Sequence, residues 1–354
     1  MHRALIYILL IFPPTLLLLG CEEDTEIKNG QNYQSFWQSL PQEVEKRSNK
    51  GILTVNDSLL LSERYDILDT SSLKINGDNL YIEDQAQQKI YAIDKHTLNQ
   101  KASISISEGR GPRELTRLGS FDVASETVVI SSINMQKIQI WNTDGSFRDE
   151  FRYKNLHPRR IRLNSNNNMV ILSNFFFVDG ERNLIQVINS DGNPVSGFGK
   201  VSKENYSSLK AEGHMLVDDQ DNVYYAGYSE HIFKKWDPEG NLIFSVKSID
   251  NYPSEANYAK MEGANQKISR YLEHAYFNAV GSTIYKNKWL IIHGGSNSKS
   301  NQSKIDIYNR NNGKYLFTVE LPNKTGHIAA DDQYLFVIHK IENEKYLFEY
   351  NIDF

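Results

Sequence analysis

The 354-residue sequence has one cysteine, Cys21. No internal disulfide can form, so the fold must stand on its packed core even in an oxidising compartment, and no thiolate chemistry is available to a folded domain downstream. Long apolar runs are also missing. The run from Ile6 to Leu19 is broken by Pro13 and Pro14 and falls short of the roughly 20 residues a spanning helix needs. No basic run with interleaved aromatics occurs, and the net charge is −5, which argues against nucleic acid as a partner. Neither a Gly-x-Ser-x-Gly elbow nor a His-Glu-x-x-His pair is present. Asp218, Asp219 and Asp221 lack the Gly and distal Glu of a calcium loop, and Asp221-Asn222 fits a hairpin turn instead. No metal set and no cofactor is expected.

What is present begins with an export signal. A short basic head (Met1-His2-Arg3) precedes the apolar run, which ends in Leu18-Leu19-Gly20-Cys21. This ending resembles a lipobox: cleavage before Cys21 and lipidation of its thiol are expected. Two or more acyl chains anchor a protein stably, so the membrane is an expected partner through Cys21. The sequence divides into a signal peptide (1–20), an anchor and tether (21–50) and a folded domain (51–354). Glu22-Glu23-Asp24-Thr25-Glu26 is a solvated spacer. It also resembles the surface-export signal of Bacteroidetes lipoproteins. An outer-membrane lipoprotein is expected, facing the cell surface or the periplasm.

The folded part is rich in Tyr (20) and Phe (16) and poor in Pro (9). Short aromatic and β-branched runs alternate with Asn, Asp, Gly and Ser, the composition of strands and turns. One strand pattern ending in Asp or Asn recurs: Lys89 to Asp94, Lys137 to Asn142, Leu184 to Asn189, Ile232 to Asp237, Lys304 to Asn309 and Tyr346 to Asn351. The closing residues at 94, 142, 189, 237, 309 and 351 are 48, 47, 48, 72 and 42 apart. Four are followed by a glycine turn, at Gly145, Gly192, Gly240 and Gly313. With another hairpin upstream of each repeat, the unit is about four strands per roughly 47 residues, the period of propeller blades. The expected fold is therefore an all-β, six-bladed β-propeller of four-stranded blades. The long interval is assigned to a short helical insertion between blades 4 and 5, about residues 251–275. The sixth repeat is one strand short, and Ser58 to Ile67 is expected to supply the missing strand and close the ring.

The stretch Glu108-Gly-Arg-Gly-Pro-Arg-Glu114 adds a resemblance. It is similar to the Gly-x-Gly-Pro-Gly-Glu stretch leaving the first blade in the six-bladed propeller lipoproteins common in Bacteroidetes, which are related in form to NHL and TolB-type propellers. Gly109, Gly111, Pro112 and Glu114 match, and Arg113 replaces the third glycine. The resemblance covers residues 50–354. It implies a fold and a location, with no established chemistry.

In a propeller the loops between blades gather on one face around the channel. That face should collect Arg110, Arg113, Glu114 and Arg117 from the first junction, and His157, Arg159 and Arg160 from the second. Tyr206, Lys210 and His214 should come from the third, Tyr252, Tyr258 and Arg270 from the insertion, and His327 from the fifth. Arginine suits carboxylates and phosphates, and aromatics stack on sugars, so an anionic or carbohydrate-like ligand is one reading of this rim. The other is a solvated rim whose arginines pair with Glu114 and its neighbours. A binding module for an unknown protein or small molecule is favoured over an enzyme. A metal-dependent, lactonase-like hydrolase is the first alternative, with Glu83, Asp122, Asn278 and Asp331 on expected inner or second strands. A structural subunit of an outer-membrane uptake or adhesion complex is the second. Fold alone does not choose among them.

Overall fold

The computed structural model describes residues 36–132, 134–153, 157–174, 181–202, 211–228, 230–250, 277–295 and 303–354. Cys21 and the expected insertion at about 251–275 lie outside them. Among the described residues no helix is long and apolar enough to cross a membrane.

The chain enters through two short strands, β1 (Asn49–Ile52) and β2 (Val55–Leu60), and a single helical turn, α1 (Leu61–Tyr65). Blade 1 follows as β3 (Thr70–Asn76), β4 (Asn79–Asp84), β5 (Lys89–Asp94) and β6 (Gln100–Ser105). Two short parallel strands, β7 (Ser107–Glu108) and β8 (Glu114–Leu115), lie in the exit loop. Blade 2 is β9 (Ser120–Ala124), β10 (Thr127–Ser132), β11 (Lys137–Asn142) and β12 (Phe147–Arg152). Blade 3 is β13 (His157–Leu163), β14 (Met169–Asn174), β15 (Arg182–Ile188) and β16 (Pro194–Val201). Blade 4 is β17 (Gly213–Val217), β18 (Val223–Gly227), β19 (Ile232–Trp236) and β20 (Leu242–Lys247). Blade 5 is β21 (Phe277–Tyr285), β22 (Lys288–Gly295), β23 (Ser303–Asn309) and β24 (Tyr315–Leu321). Blade 6 has β25 (His327–Ala330), β26 (Tyr334–Ile341) and β27 (Glu344–Asn351), with β2 as its fourth strand.

The first strands of successive blades touch in turn, and β25 touches β3, so the six blades close into a ring. The fold is the expected six-bladed propeller. Second strands such as β10 are buried along their whole length, because each lies between two neighbouring blades. They therefore read as continuous apolar runs rather than alternating ones. Outer strands such as β12, Phe-Arg-Asp-Glu-Phe-Arg, are polar and largely accessible, which discourages edge pairing. The core comprises six apolar clusters, one per blade junction. Tyr224, Phe233, Trp289 and Tyr308, for example, join blades 4 and 5.

The repeat has a physical cause. In blades 1 to 5 the register of the third and fourth strands shifts just before the closing Asp or Asn. In blades 1, 3, 4 and 5 the closing side chain then accepts turn amides, as Asn189 Oδ1 does from Asp191 (3.1 Å) and Asn193 (2.8 Å) and Asp94 Oδ1 from His96 (3.1 Å) and Thr97 (2.8 Å); in blade 2 Asp144 takes the Ser146 amide. An Asx side chain thereby replaces part of the ladder. The glycine that follows takes a left-handed backbone, as at Gly145 with φ +92°. In blade 1, Leu98 occupies that position with φ +53°. These turns also reach across junctions, with Gly192, Gly240 and Gly313 lying over Phe151, Phe198 and Phe244 of the preceding blades.

Closure differs in detail from the expected Ser58–Ile67 strand. The pairing runs from Val55 opposite Tyr350 to Leu60 opposite Tyr346, and residues 61–65 turn into α1 so that Leu61 and Tyr65 plug the junction of blades 6 and 1. Residues before 51 also pack against the ring. Phe36 packs against Tyr225 and Trp236, and Leu40 bridges to Val246 on the outer strand of blade 4. β1 then runs parallel to β24 as a fifth strand of blade 5. Residues 36–60 therefore form a strap across the outer edges of blades 4, 5 and 6.

Candidate functional site

The first strands carry charge where a core strand would carry none. Lys74 lies on β3, Asp122 on β9, Arg160 and Arg162 on β13, His214 on β17 and His327 on β25. In β13, Ile161 and Leu163 join the cluster between blades 2 and 3, so the period-2 alternation turns Arg160 and Arg162 the other way. A bulge at Arg159 offsets the register just above them, a local device that re-aims side chains. His214 of blade 4 is electrostatically coupled to Lys74 of blade 1 and His327 of blade 6. Neither blade borders blade 4, so these groups meet across the central channel.

The cluster is cationic and under-paired. Lys74 Nζ lies 3.6 Å from Asp122 Oδ1, but Asp122 Oδ2 also accepts the Leu163 amide at 2.9 Å. Arg162 is 7% exposed. Its Nη1 donates to the Ile161 carbonyl at 2.6 Å, and its Nε is buried with no hydrogen-bond partner. Arg160 Nη1 donates to the Arg159 carbonyl at 3.0 Å, while Arg159 itself pairs with Glu212. Burial, reinforced by Arg162 and Arg160, pushes Lys74 down to about 7 against the pull of Asp122. Burial and the same arginines hold His214 well below its ordinary range, and burial takes His327 to about 4. Glu83, on β4 near Arg117 and Arg160, is raised by burial to about 7. Concentrating cations at low dielectric is costly, and an anion bound among them would relieve that cost.

The residues expected on one rim do not gather in one place. Arg160, His214 and His327 reach the channel. His157 stays at the border of blades 2 and 3, its Nε2 2.9 Å from the Gln136 amide nitrogen. Arg117 donates to Gln85 at 2.7 Å. Arg110 and Arg113 belong to the loop between β7 and β8 and Glu114 opens β8; this segment lies over the outer part of blade 2. There Glu114 accepts the Gly111 amide at 2.7 Å and fills the space a Gly109 side chain would need. Arg113 takes φ +61°, in the left-handed region that favours glycine, and its guanidinium lies 4.8 Å from the Phe147 ring. Buried Lys137 ties this loop to the blade through the Gly111 carbonyl (2.9 Å) and Glu150 (3.1 Å). Tyr206, Lys210, Tyr252, Tyr258 and Arg270 lie outside the described residues.

The acidic groups considered for a channel metal do not converge. Asp122 is tied to Lys74, and Asp331 pairs with Lys95 at 3.0 Å; the Asn278 side chain is outside the described set. Asp218 accepts the Gln220 and Asn222 amides at 3.0 and 2.9 Å and pairs with Arg310, as a turn residue does. Lys74 and Arg162 were not among the sequence candidates. The signal available for them was charge at alternate positions of strands otherwise apolar: Arg160-Ile161-Arg162-Leu163 and Leu73-Lys74-Ile75.

No protein-family model matches the sequence, and no curated protein does. The structure is similar to that of a Bacteroides fragilis protein described as exported (TM-score 0.60, 15% identity, covering 89% of this chain and 99% of that one). It is also similar to a member of the DUF4221 family from Bacteroides vulgatus (TM-score 0.58, 10% identity, covering 85% and 98%). Such identities define fold alone: the class is that of six-bladed β-propellers, here with a cationic channel.

Proposed function

We propose that this protein is a binding module of the cell envelope whose central channel takes a small anionic ligand. The observation that carries the reading is the convergence of Lys74, Arg160, Arg162, His214 and His327 on one channel beside the carboxylate of Asp122. Guanidinium groups with unused donors suit carboxylate, sulfate or phosphate. Maintaining buried, under-paired cations against their desolvation cost is a mark of binding sites rather than of structural cores. Calorimetric titration with inorganic phosphate, citrate and glucuronate tests it. At least one should bind the wild type, and Arg160→Met/Arg162→Met should abolish that binding. Absence of binding by all three, or binding unchanged in the double variant, would sink the reading.

Export and anchorage are part of the same proposal. Their support is the signal-like start, the lipobox-like Leu18 to Cys21 and the exported description of the Bacteroides fragilis neighbour. Replacing Cys21 with Ser should shift the protein from the membrane to the soluble fraction, or leave it unprocessed, with the ring folded. A Cys21→Ser protein that is still acylated and membrane-bound would contradict anchorage.

A further inference from the structure

A second cluster of ionisable groups lies away from the channel, at the junction of blades 4 and 5 beneath the strap. Asp250 follows β20, His293 lies on β22 and Asp306 on β23, and each offers a ligand atom within 4.8 Å of the other two. Arg47 of the strap reaches into this group. Its Nε and Nη2 donate to Asp306 at 2.9 and 2.8 Å, and both terminal nitrogens pair with Asp250. His293 Nε2 lies 3.0 Å from Asp250 Oδ2, while its Nδ1 is buried without a hydrogen-bond partner. His231, at the entrance to β19, faces the same carboxylate and has Ser248 Oγ 3.4 Å from its Nδ1.

We propose that Asp250, His293 and Asp306 form a site for a divalent transition-metal ion, with Arg47 as its built-in competitor. The guanidinium marks where the site concentrates negative potential, since it bridges both carboxylates. One imidazole and two carboxylates, drawn from three separate positions, make a donor set suited to zinc and similar ions. Arg47 also has a way out. Its side chain is 20% exposed, and residues 43–46 of the strap beside it are exposed, so withdrawal moves only a short surface segment. Metal binding and strap docking at this point are then mutually exclusive.

Zinc titration of the wild type, Arg47→Met and Arg47→Met/His293→Gln tests this. Arg47→Met should bind one zinc ion per chain at least tenfold more tightly than the wild type, and adding His293→Gln should remove that binding. Hydrogen exchange on the wild type gives a readout that needs no Arg47 variant. Saturating zinc should speed exchange across residues 40–52, and His293→Gln should cancel the effect. An Arg47→Met protein that loosens the strap without gaining zinc affinity would make Arg47 a simple pin and overturn the proposal. So would zinc binding indifferent to His293, or zinc without effect on the wild-type strap.

Discussion

Lys74 and Arg162 sit where burial opposes their charge, reinforced at Lys74 by Arg162 and Arg160. Lys74, brought down to about 7, is largely uncharged above that pH. A bound anion favours the ammonium form, so binding must draw a proton from solution. Anion affinity should therefore rise as the pH falls from 9 toward 7, by up to about tenfold per unit for one coupled proton, and level off below. Titrations in buffers of different ionisation enthalpy would register this uptake. Affinity independent of pH over that range would remove Lys74 from the site. The individual basic residues are visible in the sequence, yet of the five in the channel only Arg160, His214 and His327 stand out from it. Spacing along the chain does not tell which face of a first strand looks into the channel. That depends on the bulge at Arg159 and on Ile161 and Leu163 taking the junction side. The same limit explains why Arg113 and Glu114 read as ligand groups. Their partners, Phe147 and the Gly111 amide, make the loop a packed element.

At the scale of the element, the repeat was readable because it encodes a local structure: a bulge, an Asx-type turn and a left-handed residue. Gly145 shows how tightly the turn is specified. A Cβ there would stand 2.6 Å from the Ser103 carbonyl oxygen, on a backbone at φ +92°. Gly145→Ala should cost about 2 kcal/mol or more, read by urea denaturation, since left-handed strain alone is of order 1–2 kcal/mol. A neutral substitution would mean the turn is not held by the blade beside it. The strap was less readable. Phe36 lies in a polar N-terminal stretch, and nothing local shows that it fills the pocket formed by Tyr225, Trp236 and Gly199. At 6% exposure it behaves as core, and Phe36→Ala should destabilise the ring by about 3 kcal/mol. The expected closing strand starts three residues late because Leu59, Leu60 and Leu61 suit either a strand or the helical turn that follows.

For the whole molecule, closure and function make opposite demands. The strap, β2 included, runs along the outer edges of blades 4, 5 and 6, so three blades are held by more than their neighbours. The channel works against that stability by gathering buried cations. Groups kept for binding characteristically cost stability when the ligand is away. The most direct measurement is thermal unfolding of the wild type and Arg160→Met/Arg162→Met, each with and without the anion found to bind. Without ligand, the double variant should unfold at a higher temperature than the wild type, by roughly 2–4 °C for each kcal/mol of relieved desolvation. The anion should raise the midpoint of the wild type alone. A double variant less stable than the wild type, or equally stabilised by the anion, would make these arginines structural and contradict the account.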